Sequence, residues 1–68
     1  MGETTLTWSA YKKKPGTWIV AIEVHVEGRR THDLAVISVE VMREREMRRV
    51  ANSMLALWQI RGNDYGNQ

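Results

Sequence analysis

The first half of the chain alternates apolar and polar side chains with a period of two, which is the pattern of half-buried β-strands. Residues 5–11 predict a first strand, and residues 18–26, with apolar side chains at every even position, predict a second. Pro15 and Gly16 separate the two strands, because proline fixes φ and glycine accepts a positive φ. The chain is therefore predicted to open with a β-hairpin.

A second hairpin is predicted at Gly28 and Arg29, which suit a type II′ turn because glycine comes first. This turn would set two pairs of residues opposite each other, Glu27 with Arg30 and His25 with His32. The third strand then runs through Leu34, and the sequence allows two positions for its C-terminal end. Either Ser38 caps the following helix, or the strand continues through Val41 and the helix begins near Met42.

The second half changes to a helical period between residues 40 and 61. At about 100° per residue, its apolar side chains fall within one wide arc. The arc consists of Met47, Val50, Ala51, Met54, Leu57 and Trp58. Gly62 followed by Asn63 is typical of a C-cap. We therefore predict one α+β domain over residues 1–62, a three-stranded antiparallel meander packed on one C-terminal helix (β-β-β-α), and a flexible C-terminal tail over residues 63–68.

The register of the first hairpin decides which face of the sheet is apolar, since a slip of one residue turns every side chain over. A two-residue loop would set Leu6 and Trp8 beside Glu23 and His25, so we predict a loop of odd length, which sets them beside apolar residues. The predicted core face is Leu6, Trp8, Ala10, Trp18, Val20, Ile22, Val24, Ala35 and Ile37. The opposite face keeps an apolar patch that one helix cannot reach, namely Ile19, Ala21, Leu34 and Val36.

This patch is a predicted protein interface, because contiguous exposed apolar surface usually marks one. A chain of 68 residues has a thin core, and without cysteine it has no disulfide to support that core. We therefore expect a homodimer or a protein partner. The start of the chain has no basic and apolar leader, and no apolar run is long enough to span a membrane. These features predict a soluble cytoplasmic protein.

Catalytic motifs are missing from the sequence: it has no Gly-x-Ser-x-Gly elbow, no glycine-rich phosphate loop and no thiol. We predict neither an enzyme nor a cofactor. The predicted pairing of His25 with His32, flanked by Glu23 and Glu27, leaves a transition-metal site or a pair of solvated histidines as alternatives.

Positive residues are clustered although the net charge is only +2. In a three-stranded meander the third strand ends beside the first turn, which brings the lysines of that turn near the start of the helix. Such clusters suit phosphate groups. The candidate nucleic-acid-binding residues are Lys12, Lys13, Lys14, Arg29, Arg30, Arg43, Arg45 and Arg48.

Element order and turn chemistry also support a family resemblance. The residues concerned are Lys12-Lys13-Lys14-Pro15-Gly16-Thr17-Trp18, the alternating stretch from Val20 to Val24, Gly28-Arg29-Arg30 and the helix end Gln59-Ile60-Arg61-Gly62. On these, the chain resembles the three-stranded-sheet-plus-helix DNA-binding domains of the AP2 and tyrosine-integrase arm-binding type. The resemblance implies that the exposed sheet face enters the major groove. The contacts it implies are Lys12, Lys14, Trp18, Arg29 and Arg30.

The sequence thus predicts a small non-enzymatic accessory or regulatory protein that binds nucleic acid through its basic turn and helix start. DNA is the expected nucleic acid. The alternative is a protein-interaction module, such as a dimeric phage or mobile-element inhibitor that covers the surface of a partner protein. Three tryptophans and the leftover apolar patch support this alternative.

Overall fold

The computed structural model describes residues 3–66 of the chain. Three antiparallel strands, β1 (Thr4–Lys14), β2 (Thr17–Val26) and β3 (Arg29–Val39), form an open sheet in the order β1-β2-β3, and one helix, α1 (Glu44–Gly66), follows. The predicted fold class, an α+β meander with a C-terminal helix, is confirmed.

The first hairpin combines a two-residue turn with one extra residue in β1. Pro15 and Gly16 form the turn, with Gly16 at a φ of 85°. Lys12 pairs with Trp18 and Lys14 pairs with Thr17, so Lys13 is left over as a β-bulge. The connection between Lys12 and Trp18 therefore has an odd number of residues. This confirms the predicted faces, because Trp8 pairs with Ile22, and Leu6 pairs with Val24.

The second hairpin turns one residue earlier than predicted. Glu27 and Gly28 have φ values of 52° and 79°, and two positive φ angles characterise a type I′ turn. The predicted type II′ turn at Gly28 and Arg29 is wrong, since a type I′ turn follows the natural twist of the strands and Val26 pairs with Arg29. β3 also carries two unpaired residues, Thr31 and Leu34, at shifts of register.

These bulges separate the two histidines. His25 pairs with Arg30, and His32 pairs with Val24, the neighbour of His25 in β2. Because successive side chains of a strand point to opposite faces, His25 and His32 lie on opposite faces of the sheet. The predicted pairing of His25 with His32 is therefore wrong, and with it the predicted geometry for a shared metal ion.

The start of α1 differs from both alternatives. β3 ends at Val39, and the carbonyl of Arg43 accepts hydrogen bonds from the amides of Glu46 and Met47 at 3.1 and 3.2 Å. Arg43 is thus the N-cap residue instead of Ser38, and the helix begins two residues after Met42, at Glu44, while the strand ends before Val41. The helix continues to Gly66, so the predicted C-cap at Gly62 is wrong. A glycine permits a left-handed C-cap but does not require one. The predicted tail, residues 63–68, extends beyond the described residues, which end at Gly66.

The core lies between β2 and α1. Its buried side chains are Trp18, Val20, Ile22, Val24, Val39, Met47 and Ala51. The helix packs on β1 and β2 and leaves the same face of β3 largely uncovered. For this reason Ile37, a predicted core residue, stays 37% exposed, and Leu57 of the predicted helical arc is 64% exposed.

Candidate nucleic-acid interface

The lysine-rich turn and the start of the helix meet at one end of the molecule. The indole nitrogen of Trp18 donates a hydrogen bond of 3.1 Å to the carbonyl of Val41, in the segment that leads into α1. Met42 packs against the turn, with its sulfur 3.1 Å from the position that a Cβ on Gly16 would occupy. These two contacts hold the β1–β2 turn beside the helix start, as the meander topology predicted.

Lys12, Lys13 and Lys14 are exposed at this end. The Lys12 ammonium lies 5.2 Å from the centre of the Trp18 ring, a cation–π distance that draws this side chain toward the helix side of the sheet. Lys13 occupies the bulge. Within residues 3–61, whose side chains the structure describes, these three lysines make no ion pair with a carboxylate.

The helix start adds Arg43 and Arg45, both exposed. We call Lys12, Lys13, Lys14, Arg43 and Arg45 together the positive end. Two carboxylates, Glu44 and Glu46, occupy the first turn of α1, where the helix dipole favours them. Glu44 lies 3.5 Å from Arg48, so Arg48 is partly neutralised by its own helix. The net potential of this end therefore depends mainly on the lysines of the turn.

Arg29 and Arg30 lie at the far end of the second hairpin. β2 has 10 residues, which puts roughly 30 Å between this turn and the positive end. The guanidinium of Arg30 donates two hydrogen bonds of 3.0 Å to the carboxylate of Asp33 and lies 3.4 Å from Glu23. The hydrogen bond and charge of Asp33, with the charge of Glu23, raise the pKa of Arg30 above its ordinary value. Arg30 is thus firmly charged, but its donors already serve carboxylates.

The part of the sheet face away from α1 that surrounds Glu23 is polar and holds no cluster of basic side chains. Its centre is Glu23, which accepts a hydrogen bond of 2.9 Å from the hydroxyl of Ser9 and lies 3.2 Å from His25. Trp18, a contact implied by the family resemblance, is only 7% exposed and packs on the helix side. Among the contacts that the resemblance implies, the structure brings together Lys12 and Lys14 and sets Arg29 and Arg30 apart from them.

The predicted protein interface is partly contiguous. Ala21 pairs with Val36, and Ile19 lies two residues from Ala21 on the same face. Val36 is 58% exposed, whereas Ile19 and Ala21 are half-buried. Leu34 is the unpaired residue of a bulge and is 39% exposed.

A second exposed apolar surface lies on the helix side, where the sequence interpretation expected a closed core. A groove of about 410 Å³ runs between α1 and β3, and its lining is Ile37, Arg49, Val50, Ser53, Met54 and Leu57. We call it the helix–strand groove. Its sequence signal was the width of the apolar arc, which places Val50 and Leu57 at one margin. Where the helix would lie on the sheet was not readable from the sequence.

Other chemistry has little support in residues 3–66. Among residues 3–61, whose side chains the structure describes, no group of three or more His, Cys, Asp or Glu side chains is arranged to hold a metal ion. Over residues 3–66, no helix is long and apolar enough to cross a membrane. The chain matches no known family model, no curated protein and no solved structure.

Proposed function

We propose that this chain is a small non-enzymatic nucleic-acid-binding protein of the cytoplasm, and that it contacts DNA phosphates through the positive end. One observation carries the proposal: the hydrogen bond of Trp18 and the packing of Met42 hold the lysine turn beside the helix start. Five cationic side chains from two separate parts of the chain thereby lie at one end of the molecule.

Phosphate contact suits these groups chemically. Lysine is a flexible point charge, so it reaches phosphates without imposing one geometry, and such contacts give affinity without reading the base sequence. The amides in the first turn of α1 add a partial positive charge beside the lysines. Arg30 and Arg48 contribute less, because carboxylates already engage them.

The test compares two variants that remove the same charge from opposite ends. Lys13→Ala/Lys14→Ala and Arg29→Ala/Arg30→Ala each take the formal net charge from +2 to zero. Binding to a labelled random-sequence duplex is measured by fluorescence anisotropy over a series of salt concentrations. The lysine variant should lower the slope of log affinity against log salt by about 1.8, at about 0.9 for each phosphate that is no longer neutralised. The arginine variant should keep the slope of the native chain.

Two results would overturn the proposal. An equal decrease of the slope in both variants would mean that overall charge, and not the positive end, attracts the duplex. The absence of salt-sensitive binding by the native chain at low salt would exclude nucleic acid as the ligand. Circular dichroism of both variants checks that the fold is intact, because Arg30→Ala leaves the half-buried carboxylates of Glu23 and Asp33 without their arginine partner.

A second candidate function, a protein-interaction module that covers a partner's surface, is favoured by the patch around Ala21 and Val36. Val36 is 58% exposed although it lies beside a central strand. A complex formed through this patch would change little with salt, and Val36→Asp would weaken it. The same salt series therefore separates the two functions.

A further inference from the structure

The chain exposes more surface than a closed domain of its size. Its accessible surface is 5277 Å², whereas monomers of 7.9 kDa expose about 4,400 Å² by the usual scaling. Its radius of gyration is 13.1 Å, against about 11 Å for a compact domain of this length. The surplus area is comparable to the roughly 800 Å² that each partner buries in a stable interface of standard size.

The two flanks of α1 differ in polarity. Toward β1 the helix presents polar side chains, and Asn52 accepts a hydrogen bond from Trp8 there. Toward β3 it presents Val50 and Leu57, which are 37% and 64% exposed and line the helix–strand groove together with Met54, Arg49 and Ser53. If both flanks of the helix faced water, both would be expected to carry polar side chains. The apolar flank indicates an occupant above β3.

The outer edge of β3 is suited to the same occupant. β3 pairs with β2 on one side only, so its other side presents unpaired backbone amides and carbonyls. The bulges are confined to the first half of the strand, at Thr31 and Leu34. Residues 35–39 pair regularly and contain no charge and no proline. A strand of this kind readily accepts another strand.

We propose that the occupant is a second copy of this chain, joined through the edge of β3. A two-fold axis perpendicular to the sheet pairs β3 with β3 of the second copy in antiparallel orientation and forms a six-stranded sheet. Both helices then lie on the same face. Their apolar flanks, with Val50 and Leu57, face each other across the axis, above Ile37 of both strands.

This interface is independent of the proposed nucleic-acid function, because it uses none of the residues of the positive end. A second copy fits better than an unrelated partner, since the strand edge and the helix flank lie side by side. Under two-fold symmetry each meets its own counterpart, so one contact covers both surfaces.

The test is the mass of the protein in solution, with two variants on opposite flanks of α1. Sedimentation equilibrium of the native chain should give twice 7.9 kDa. Leu57→Asp places a charge on the apolar flank and should raise the dissociation constant roughly 30-fold or more. Gln59→Asp adds the same charge on the polar flank and should leave the mass unchanged. Leu57 is 64% exposed in the single chain, so its replacement should not unfold it.

Amide hydrogen exchange tests whether the outer edge of β3 forms the interface. In the native protein, outward-facing amides within residues 35–39 should be protected, and Leu57→Asp should remove that protection. A native chain that stays at 7.9 kDa at its highest soluble concentration would overturn the inference. So would a dimer whose β3 edge exchanges freely. The Lys13→Ala/Lys14→Ala variant should remain dimeric, so failure of DNA binding and failure of this interface are separate results.

Discussion

The indole nitrogen of Trp8 donates a hydrogen bond of 2.8 Å to the side-chain oxygen of Asn52 and so joins β1 to the middle of α1. This bond crosses 44 positions of the sequence. It ties the helix to β1, on the side of the helix opposite to the helix–strand groove. We expect this polar contact to help hold the helix away from β3.

A double-mutant cycle with Trp8→Phe and Asn52→Ala measures this bond. Phenylalanine keeps most of the aromatic surface and removes the donor, while alanine removes the acceptor. We expect a coupling energy of about 0.5–1.5 kcal/mol in urea unfolding, the usual contribution of one hydrogen bond. A coupling energy near zero would show that the bond does not fix the helix.

Ala51 is the most deeply buried residue of α1 where the helix packs on the sheet, and it is 0% exposed. Ala51→Asp would bury an unpaired carboxylate and should unfold a domain whose total stability is only about 5 kcal/mol or little more. Ala56→Asp makes the same change at an exposed position of the same helix and should stay folded. Far-ultraviolet circular dichroism at 25 °C distinguishes the two. A folded Ala51→Asp variant would contradict the position of the helix.

Glu27 adopts a φ of 52°, which a glutamate tolerates poorly. Glu27→Asn should stabilise the protein by about 0.5–1 kcal/mol, because asparagine followed by glycine suits a type I′ turn. Gly28→Ala should destabilise it by about 1 kcal/mol through backbone strain alone. No atom lies within 4 Å of the position that its Cβ would take. Thermal unfolding reports both changes, and equal effects of the two variants would argue against this turn.

Deletion of Lys13 tests the bulge in β1. Without Lys13, the pairs Lys12 with Trp18 and Lys14 with Thr17 would become consecutive. Every side chain upstream should keep its face, so the variant should fold with Trp8 still in the core. Deletion of Ser9 should instead turn the preceding residues over and unfold the sheet. Tryptophan fluorescence tells the two variants apart, since a Trp8 turned to solvent emits at a longer wavelength.

The sequence predicted the fold correctly where apolar and polar positions alternate without interruption. The even positions of β2 are all apolar, and the faces of the first hairpin followed from the need to keep Leu6 and Trp8 with them. The pattern was weaker in β3, where two bulges shift the register, and a bulge leaves no mark in a period-two pattern of only a few residues. His25 and His32 were therefore paired wrongly.

The candidate site, like the fold, was predictable only in part. The meeting of the lysine turn with the helix start follows from topology and was predictable. The engagement of Arg30 by Asp33 depends on the bulged register and was not. The helix–strand groove was also missed, because the lateral position of a helix on a sheet depends on single contacts such as Trp8 with Asn52.

A sheet joined at β3 would have β1 as its outermost strand on both sides. There the bulge at Lys13 breaks the ladder, three consecutive lysines repel an incoming strand of the same kind, and Pro15 lacks the amide needed to extend the pairing. Strand addition would thereby be disfavoured at the turn end of β1, over residues 12–15. The lysines that attract phosphate would in this way also keep an incoming strand away from this end of the sheet.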